Sequence, residues 1–175
     1  DVANAVLDGT DAVMLSEETA IGRFPVEAVT MMAAIAPDAE LSFPFDAWLG
    51  RFETGGPLPD AVARAACVMA DEIDAAAIVT CTQSGGTARR VAQYRPRAPI
   101  LAPTPHAEIY RQLALVWGVA PLLNRGQATT DELINGALGA ALAAGRVQHG
   151  DTVVIPAGVP VGRPGMTNLI KVETV

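Results

Sequence analysis

AAIVTCTQSGGTARRVAQYR, residues 76–95, reads as strand, tight loop and helix. The apolar run Ala77, Ile78, Val79 leads through Thr80–Thr82 into Gln83, Ser84, Gly85, Gly86 and Thr87, and a helical pattern then carries Val91 and Tyr94. At such a junction the first helical N–H groups lack intrahelical partners and the helix dipole adds partial positive charge, so an anion is welcome. Gly85 and Gly86 let the backbone turn sharply and approach a ligand, while Thr82, Ser84 and Thr87 offer hydroxyl donors. We read the stretch as a phosphate cradle. The plain alternative is an ordinary turn in which Ser84 or Thr87 only caps the helix. No Gly-Lys-Ser/Thr follows, so this is not a Walker loop.

Downstream the alternation continues. Pro99–Ala102 reads as a second strand, Pro105–Trp117 as a helix with Ile109, Leu113 and Val116 inward and Gly118 at its end, and Val119–Leu123 as a third strand. Thr129 with Glu132 makes a capping box for a helix to about Ala144. Asp151–Pro156 is expected to be a fourth strand and Thr167–Val175 a fifth. Strands alternating with helices imply a parallel sheet covered on both faces. The last connection, AGVPVGRPGM, is short for a parallel crossover, so the final strand is predicted to run antiparallel at an edge. If the first and fourth of these strands are neighbours, the loop with Arg163 lies beside the cradle and supplies the positive charge the cradle lacks. A solvated loop arginine is the alternative.

Upstream, Asp60 is expected to cap a helix reaching about Ile73, with Val62, Ala66, Met69 and Ile73 on one face. Phe43, Phe45, Trp48 and Phe52, interleaved with Pro and Gly, look like a connector whose aromatics are buried, within the domain rather than on another subunit. Residues 1–7 suit a helix, Ala12–Leu15 reads as a buried parallel strand, and Ser16, Glu17, Glu18 and Thr19 follow where α/β enzymes place their chemistry. A capped helix or solvated acidic loop accounts for those four equally well. Pro25 is placed to open a helix and Pro37 to stop or kink it.

With 175 residues, half of them apolar and 18% charged, the chain is expected to be globular, one domain with an appendage. A net charge of −7 argues against a nucleic-acid surface. Two cysteines, Cys67 and Cys81, make neither a disulfide framework nor a metal cluster and suit a reduced, cytoplasmic protein. No uncharged apolar run approaches the ~18 residues of a membrane span, and Leu133–Gly145 reads as a packed helix. His106 and His149 lack metal-ligand spacing and are read as structural or solvated; Arg89 and Arg90 are read as ligand-reaching or as surface residues. The opening Asp1-Val2-Ala3 suits the tail of a longer protein.

DVANAVLDGTDAVMLSEETAIGRFPVEAV closely resembles the last barrel strand and flanking helices of pyruvate kinases. TQSGGTARRVAQYRPRAPILAPT, the Trp117-Gly118-Val119 turn and GDTVVIPAGVPVGRPGMTNLIKV resemble the C-terminal domain of the same family. The resemblance implies a (β/α)8 barrel fragment over residues 1–40, a connector over 41–57 and a C-terminal allosteric domain over 58–175. That domain is a three-layer αβα sandwich with a mostly parallel five-stranded sheet and an antiparallel last strand.

The family resemblance further implies phosphoryl transfer from phosphoenolpyruvate to ADP, giving pyruvate and ATP, with Mg²⁺ and commonly K⁺ in a cytoplasmic homotetramer. Ser16, Glu18 and Thr19 match the segment that helps deliver a proton to the enolate. The metal carboxylates, phosphate lysine and substrate arginine of the family match nothing here, so the chain alone is expected to be inactive and to bind no metal. Thr82, Gln83, Ser84, Gly85, Gly86 and Thr87, with Arg163 and Gly165 in the loop Gly158–Gly165, match an effector phosphate site.

Three departures stand out. Glu17 replaces a common Gly, Ile21 a nucleotide-contacting Lys, and Gly86 a basic residue of several activator-binding members. The last counts against fructose 1,6-bisphosphate and leaves a sugar monophosphate, AMP or no effector. A rival reading keeps the fold but makes it a stand-alone module for phosphometabolite binding or assembly, with no membrane or nucleic-acid partner.

Overall fold

The computed structural model describes residues 1–52, 55–124, 129–160 and 166–175. The chain divides into two compact units, Asp1–Pro44 and Phe45–Val175. The first holds three helices: α1 (Val2–Leu7), α2 (Glu17–Ala20) and α3 (Pro25–Glu40), with α1 and α2 both against α3. Pro25 opens α3 as expected, because its missing N–H is unbonded there in any case. Pro37 does not stop α3, which continues to Glu40. Ala12–Leu15 is not a strand. A strand needs a neighbour for its N–H and C=O groups, and this unit has none among the described residues. Met14 is accordingly 85% exposed.

The second unit begins with α4 (Phe45–Gly50), a helix inside the stretch expected to be a connector. Its aromatics are used within the unit: Trp48 Nε1 donates to the Gln93 carbonyl at 2.9 Å, and Phe45 lies 6.4 Å from the Trp117 ring. Phe52, just beyond, meets Tyr94 edge-on at 4.6 Å. Arg97 ties α4 down through both oxygens of Asp46, at 2.9 and 3.1 Å, and reaches Asp71 at 2.9 Å. Buried Arg95, held at φ +51°, lies 4.5 Å over the Trp117 ring.

There follow α5 (Leu58–Glu72), β1 (Ala77–Val79), α6 (Gly86–Ala92), β2 (Ile100–Thr104), α7 (Ala107–Leu113), β3 (Val119–Leu123), α8 (Thr130–Ala143), β4 (Thr152–Ala157) and β5 (Leu169–Thr174). Helix α5 starts two residues before Asp60, behind Pro57, so Asp60 sits in the first turn rather than at the cap. The capping box at α8 is present, with Thr129 Oγ1 accepting from the Glu132 N–H and Glu132 accepting from the Thr129 N–H, both at 3.2 Å.

The sheet order is β3-β2-β1-β4-β5, parallel throughout except for β5, which runs antiparallel at the edge. Side chains alternate across it. Ile78, Ile100 and Val154 face α5 and α6, where Ala63, Ala66 and Ala70 let the helix come close. Ala77, Val79, Leu101, Val153 and Ile155 face α8 through Ile134, Ala137 and Ala141. Ala88, Ala102 and Leu113 fill the junction of α6, β2 and α7. The result is the expected αβα sandwich. Among the described residues no helix is long and apolar enough to cross a membrane.

Candidate functional site: the loop between β1 and α6

β1 lies at the middle of the sheet, and its chain stays alongside β2 beyond Val79: the Thr80 and Thr82 N–H groups donate to the carbonyls of Leu101 and Pro103 at 2.7 and 3.1 Å. The loop that follows is held by its own side chains. Thr82 Oγ1, buried, accepts from the Gly85 N–H at 2.8 Å. Gly85 sits at φ +80°, and a Cβ there would run into the Arg89 guanidinium and Leu113. Only glycine fits both demands. A Cβ on Gly86 would stand 3.2 Å from Arg90 Nη1, the movable end of a long side chain, so glycine is less strictly demanded there.

Ser84 is exposed at the tip, with its carbonyl accepting from Arg89 Nη1 at 3.2 Å. Arg89 also donates to Gln112 Oε1 at 3.3 Å, and Arg90 Nε is 2.9 Å from Asp60 Oδ1. Both arginines are therefore engaged behind the loop. Helix α6 has only seven residues, so its dipole is short, and any pull on an anion comes from the loop N–H groups and the hydroxyls of Ser84 and Thr87.

Thr87 Oγ1 lies 2.9 Å from Thr167 Oγ1, a contact that joins the loop to the approach of β5. It follows from β1 and β4 being neighbours, with Ala77 opposite Val153. Asn168 clamps the other stem, accepting from the Val159 N–H at 2.9 Å and donating to the Val159 carbonyl at 2.8 Å. The stems of the second loop thus stand beside the cradle. Arg163 and Gly165 lie outside the described residues.

His106, read from sequence as structural or solvated, is brought to the loop: its Nε2 is 2.9 Å from Gln83 Oε1. Its place at the head of α7, after β2, was the available signal, because neighbouring parallel strands put their carboxyl-end loops side by side.

In the first unit Ser16, Glu18 and Thr19 come together around the single turn of α2. The Ser16 N–H donates to Glu18 Oε2 at 3.0 Å, and Thr19 Oγ1 donates to the Ser16 carbonyl at 3.3 Å. Hydrogen bonds from the Glu18 and Ser16 backbone hold the fully exposed Glu18 carboxyl below its usual range. Gly22 is required for the turn that follows, since a Cβ would strike the Glu18 carbonyl. Among the described residues no group of three His, Cys, Asp or Glu side chains is placed to hold a metal ion. Both thiols are buried, free, and pushed up to about 12 by burial.

The family model for the pyruvate kinase alpha/beta domain matches residues 60–173, and that for the pyruvate kinase barrel domain matches residues 1–29. A pyruvate kinase of Clostridium acetobutylicum is 46% identical over 177 residues, covering all of this chain and 37% of the relative. That of Geobacillus stearothermophilus is 50% identical over 181 residues, covering all of this chain and 30% of the relative. The crystal structure of a pyruvate kinase from Cryptosporidium parvum superposes with a TM-score of 0.88 at 33% identity, over 99% of this chain and 34% of that one. The chain spans about a third of the length of these relatives. With a sheet order, a β1–α6 loop and a segment at residues 1–29 that all fall within these matches, the chain belongs to the pyruvate kinase family.

Proposed function

We propose that this chain forms the C-terminal part of a pyruvate kinase, a glycolytic phosphotransferase that passes the phosphoryl group of phosphoenolpyruvate to ADP. Its parts are then the end of the catalytic barrel over residues 1–40, a connector over 41–57 and an allosteric domain over 58–175. Matches to both the barrel and the alpha/beta family models support this reading over that of a stand-alone binding module. The full enzyme is a cytoplasmic homotetramer using Mg²⁺ and K⁺. Among the described residues no cluster of three His, Cys, Asp or Glu side chains fits a divalent ion.

In the barrel segment, Glu18 is the ionised acceptor and Ser16 and Thr19 the hydroxyls that order a proton donor for the enolate left by phosphoryl loss. Alone, the chain is inactive. In the second unit, Thr82, Gln83, Ser84, Gly85, Gly86 and Thr87, with Arg163 and Gly165, bind the phosphate of an effector.

The observation that carries the effector site is the Gly85 backbone at φ +80°, pinned to Thr82 and flanked by exposed Ser84. The ligand class is a sugar monophosphate or AMP. Calorimetric titration with ribose 5-phosphate, glucose 6-phosphate, AMP and fructose 1,6-bisphosphate tests it. Binding of one monophosphate, lost in Ser84→Ala, is the expected result; no heat from any of the four overturns it.

A further inference from the structure

His106 stands at the N-cap of α7, a position where Ser, Thr, Asp or Asn is favoured because the side chain takes up a free helical N–H. Its imidazole makes no such bond. It reaches instead to the neighbouring loop, where Nε2 lies 2.9 Å from Gln83 Oε1. His106 is exposed and Gln83 half-buried, so apolar burial does not explain the contact. The backbone beneath the ring is tied to the sheet: the His106 N–H donates to Oγ1 of fully buried Thr104 at 3.4 Å.

The contact has a direction. A carboxamide oxygen only accepts, so the ring nitrogen donates and the proton sits on Nε2. Gln83 is thereby held by its oxygen, and what it keeps for any other partner is its two N–H donors, which are unpaired among the described residues. Turned the other way, the carboxamide would leave its oxygen as the free end, which repels an anion. The loop is short of such donors. Residues 82–87, TQSGGT, include no Lys or Arg. Thr82 Oγ1 is taken up by the Gly85 N–H, Thr87 Oγ1 lies 2.9 Å from Thr167 Oγ1, and Arg89 and Arg90 bond behind the loop. An anion there has to be held by neutral donors, and one that is oriented beforehand binds without a further ordering cost.

We infer that His106 is a positioning residue of the anion site at this loop: by taking the Gln83 oxygen it leaves the carboxamide N–H groups to meet a phosphate. The inference rests on the phosphate reading of the loop and adds to it a residue from the β2–α7 connection, one that acts through Gln83 rather than on the ligand.

NMR titration of the full chain with inorganic phosphate at one fixed pH tests it, following the Ser84 and Gly86 amides, the Gln83 side-chain N–H groups and the His106 ring nitrogens together. Before phosphate is added, Nε2 of His106 is expected to carry a proton. His106→Leu is expected to move the Gln83 side-chain resonances, and His106→Gln, whose own Nε2 can donate in the same place, to restore them. With phosphate, the Gln83 N–H groups are expected to shift along with the loop amides. Affinity is expected to fall about tenfold in His106→Leu and to stay near wild type in His106→Gln. Gln83→Ala is expected to bind as weakly as His106→Leu, and the double variant no more weakly than either, because the two residues act as a unit.

Loop amides that respond to phosphate while the Gln83 N–H groups stay still overturn the inference and leave the phosphate reading standing. So does a ring without a proton on Nε2, a His106→Leu chain that binds as tightly as wild type, or a further loss in the double variant. Loop amides that do not respond at all remove the phosphate reading, and this inference with it. If His106→Leu fails to fold, the wild-type spectra and Gln83→Ala still decide it.

Discussion

Residues 12–19 and 77–87 have the same outline, a short apolar run followed by hydroxyl and acidic or amide side chains, and they fold differently. Ala77–Val79 is a strand bonded on both sides, to β2 and β4, and each of its residues is fully buried. Ala12–Leu15 is irregular, with Met14 at 85% exposure, and Ile21 shortly after it at 81%. Apolar pattern is thus necessary for a buried strand but does not supply one. The partner edges do, because backbone groups taken from water need acceptors and donors. The polar residues after each run differ in the same way: the 82–87 loop is fixed by Thr82, Gly85 and Thr167, whereas the Glu18 and Thr19 side chains bond locally, to the Ser16 backbone.

The contrast is sharpest in the core. Ile100→Ala removes a fully buried side chain opposite Ile78 and is expected to cost about 3 kcal/mol in urea unfolding. A loss below about 1 kcal/mol breaks the claim that β1 and β2 are tightly held. Next comes Gly85→Ala, which forces a side chain onto φ +80° against Arg89 and Leu113. About 2 kcal/mol of destabilisation is expected, with loss of any phosphate binding at the loop.

The thiols next to this run give a pH signature. Burial raises Cys67 and Cys81 from 9.0 to about 12, so the folded chain keeps protons that the unfolded chain releases. Stability is therefore full below pH 9 and falls as pH rises toward about 12, by ~1.4 kcal/mol per pH unit for each thiol. Urea midpoints at pH 8 and pH 10 measure it, and the Cys67→Ala, Cys81→Ala double variant is expected to flatten the slope. The smallest effect belongs to the other run: Met14→Ser is expected to change stability by less than about 0.5 kcal/mol. A larger loss means that residues 12–15 are buried in solution and that the two regions are alike after all.

Much of the second unit was legible because its signals are local and mutually consistent. Val119–Leu123, the Thr129–Glu132 box and the short final connection each report one element, and the last of them points to the antiparallel edge strand. Neighbourhood of β1 and β4 was posed as a condition and is met. What escaped is non-local. Helix α4 forms in a Pro- and Gly-rich stretch because Trp48 and Phe45 find Gln93 and Trp117. Helix α3 passes through Pro37 against the residue's usual preference. The meeting of His106 with Gln83 depends on which strands are neighbours, which the spacing of either residue alone does not report. Arg163 and Gly165 were singled out on sequence and lie outside the described residues.

The central position of β1 also sets a timetable. The Ile78 and Thr80 amides, in and just after β1, bond to Pro99 and Leu101, about 20 residues and one helix away, whereas the Ala76 amide just before it bonds to Thr152, roughly 75 residues downstream. One three-residue strand therefore carries an early half and a late half. In pulsed deuterium labelling during refolding, Ile78 and Thr80 should gain protection with β2 while Ala76 stays open until β4 arrives.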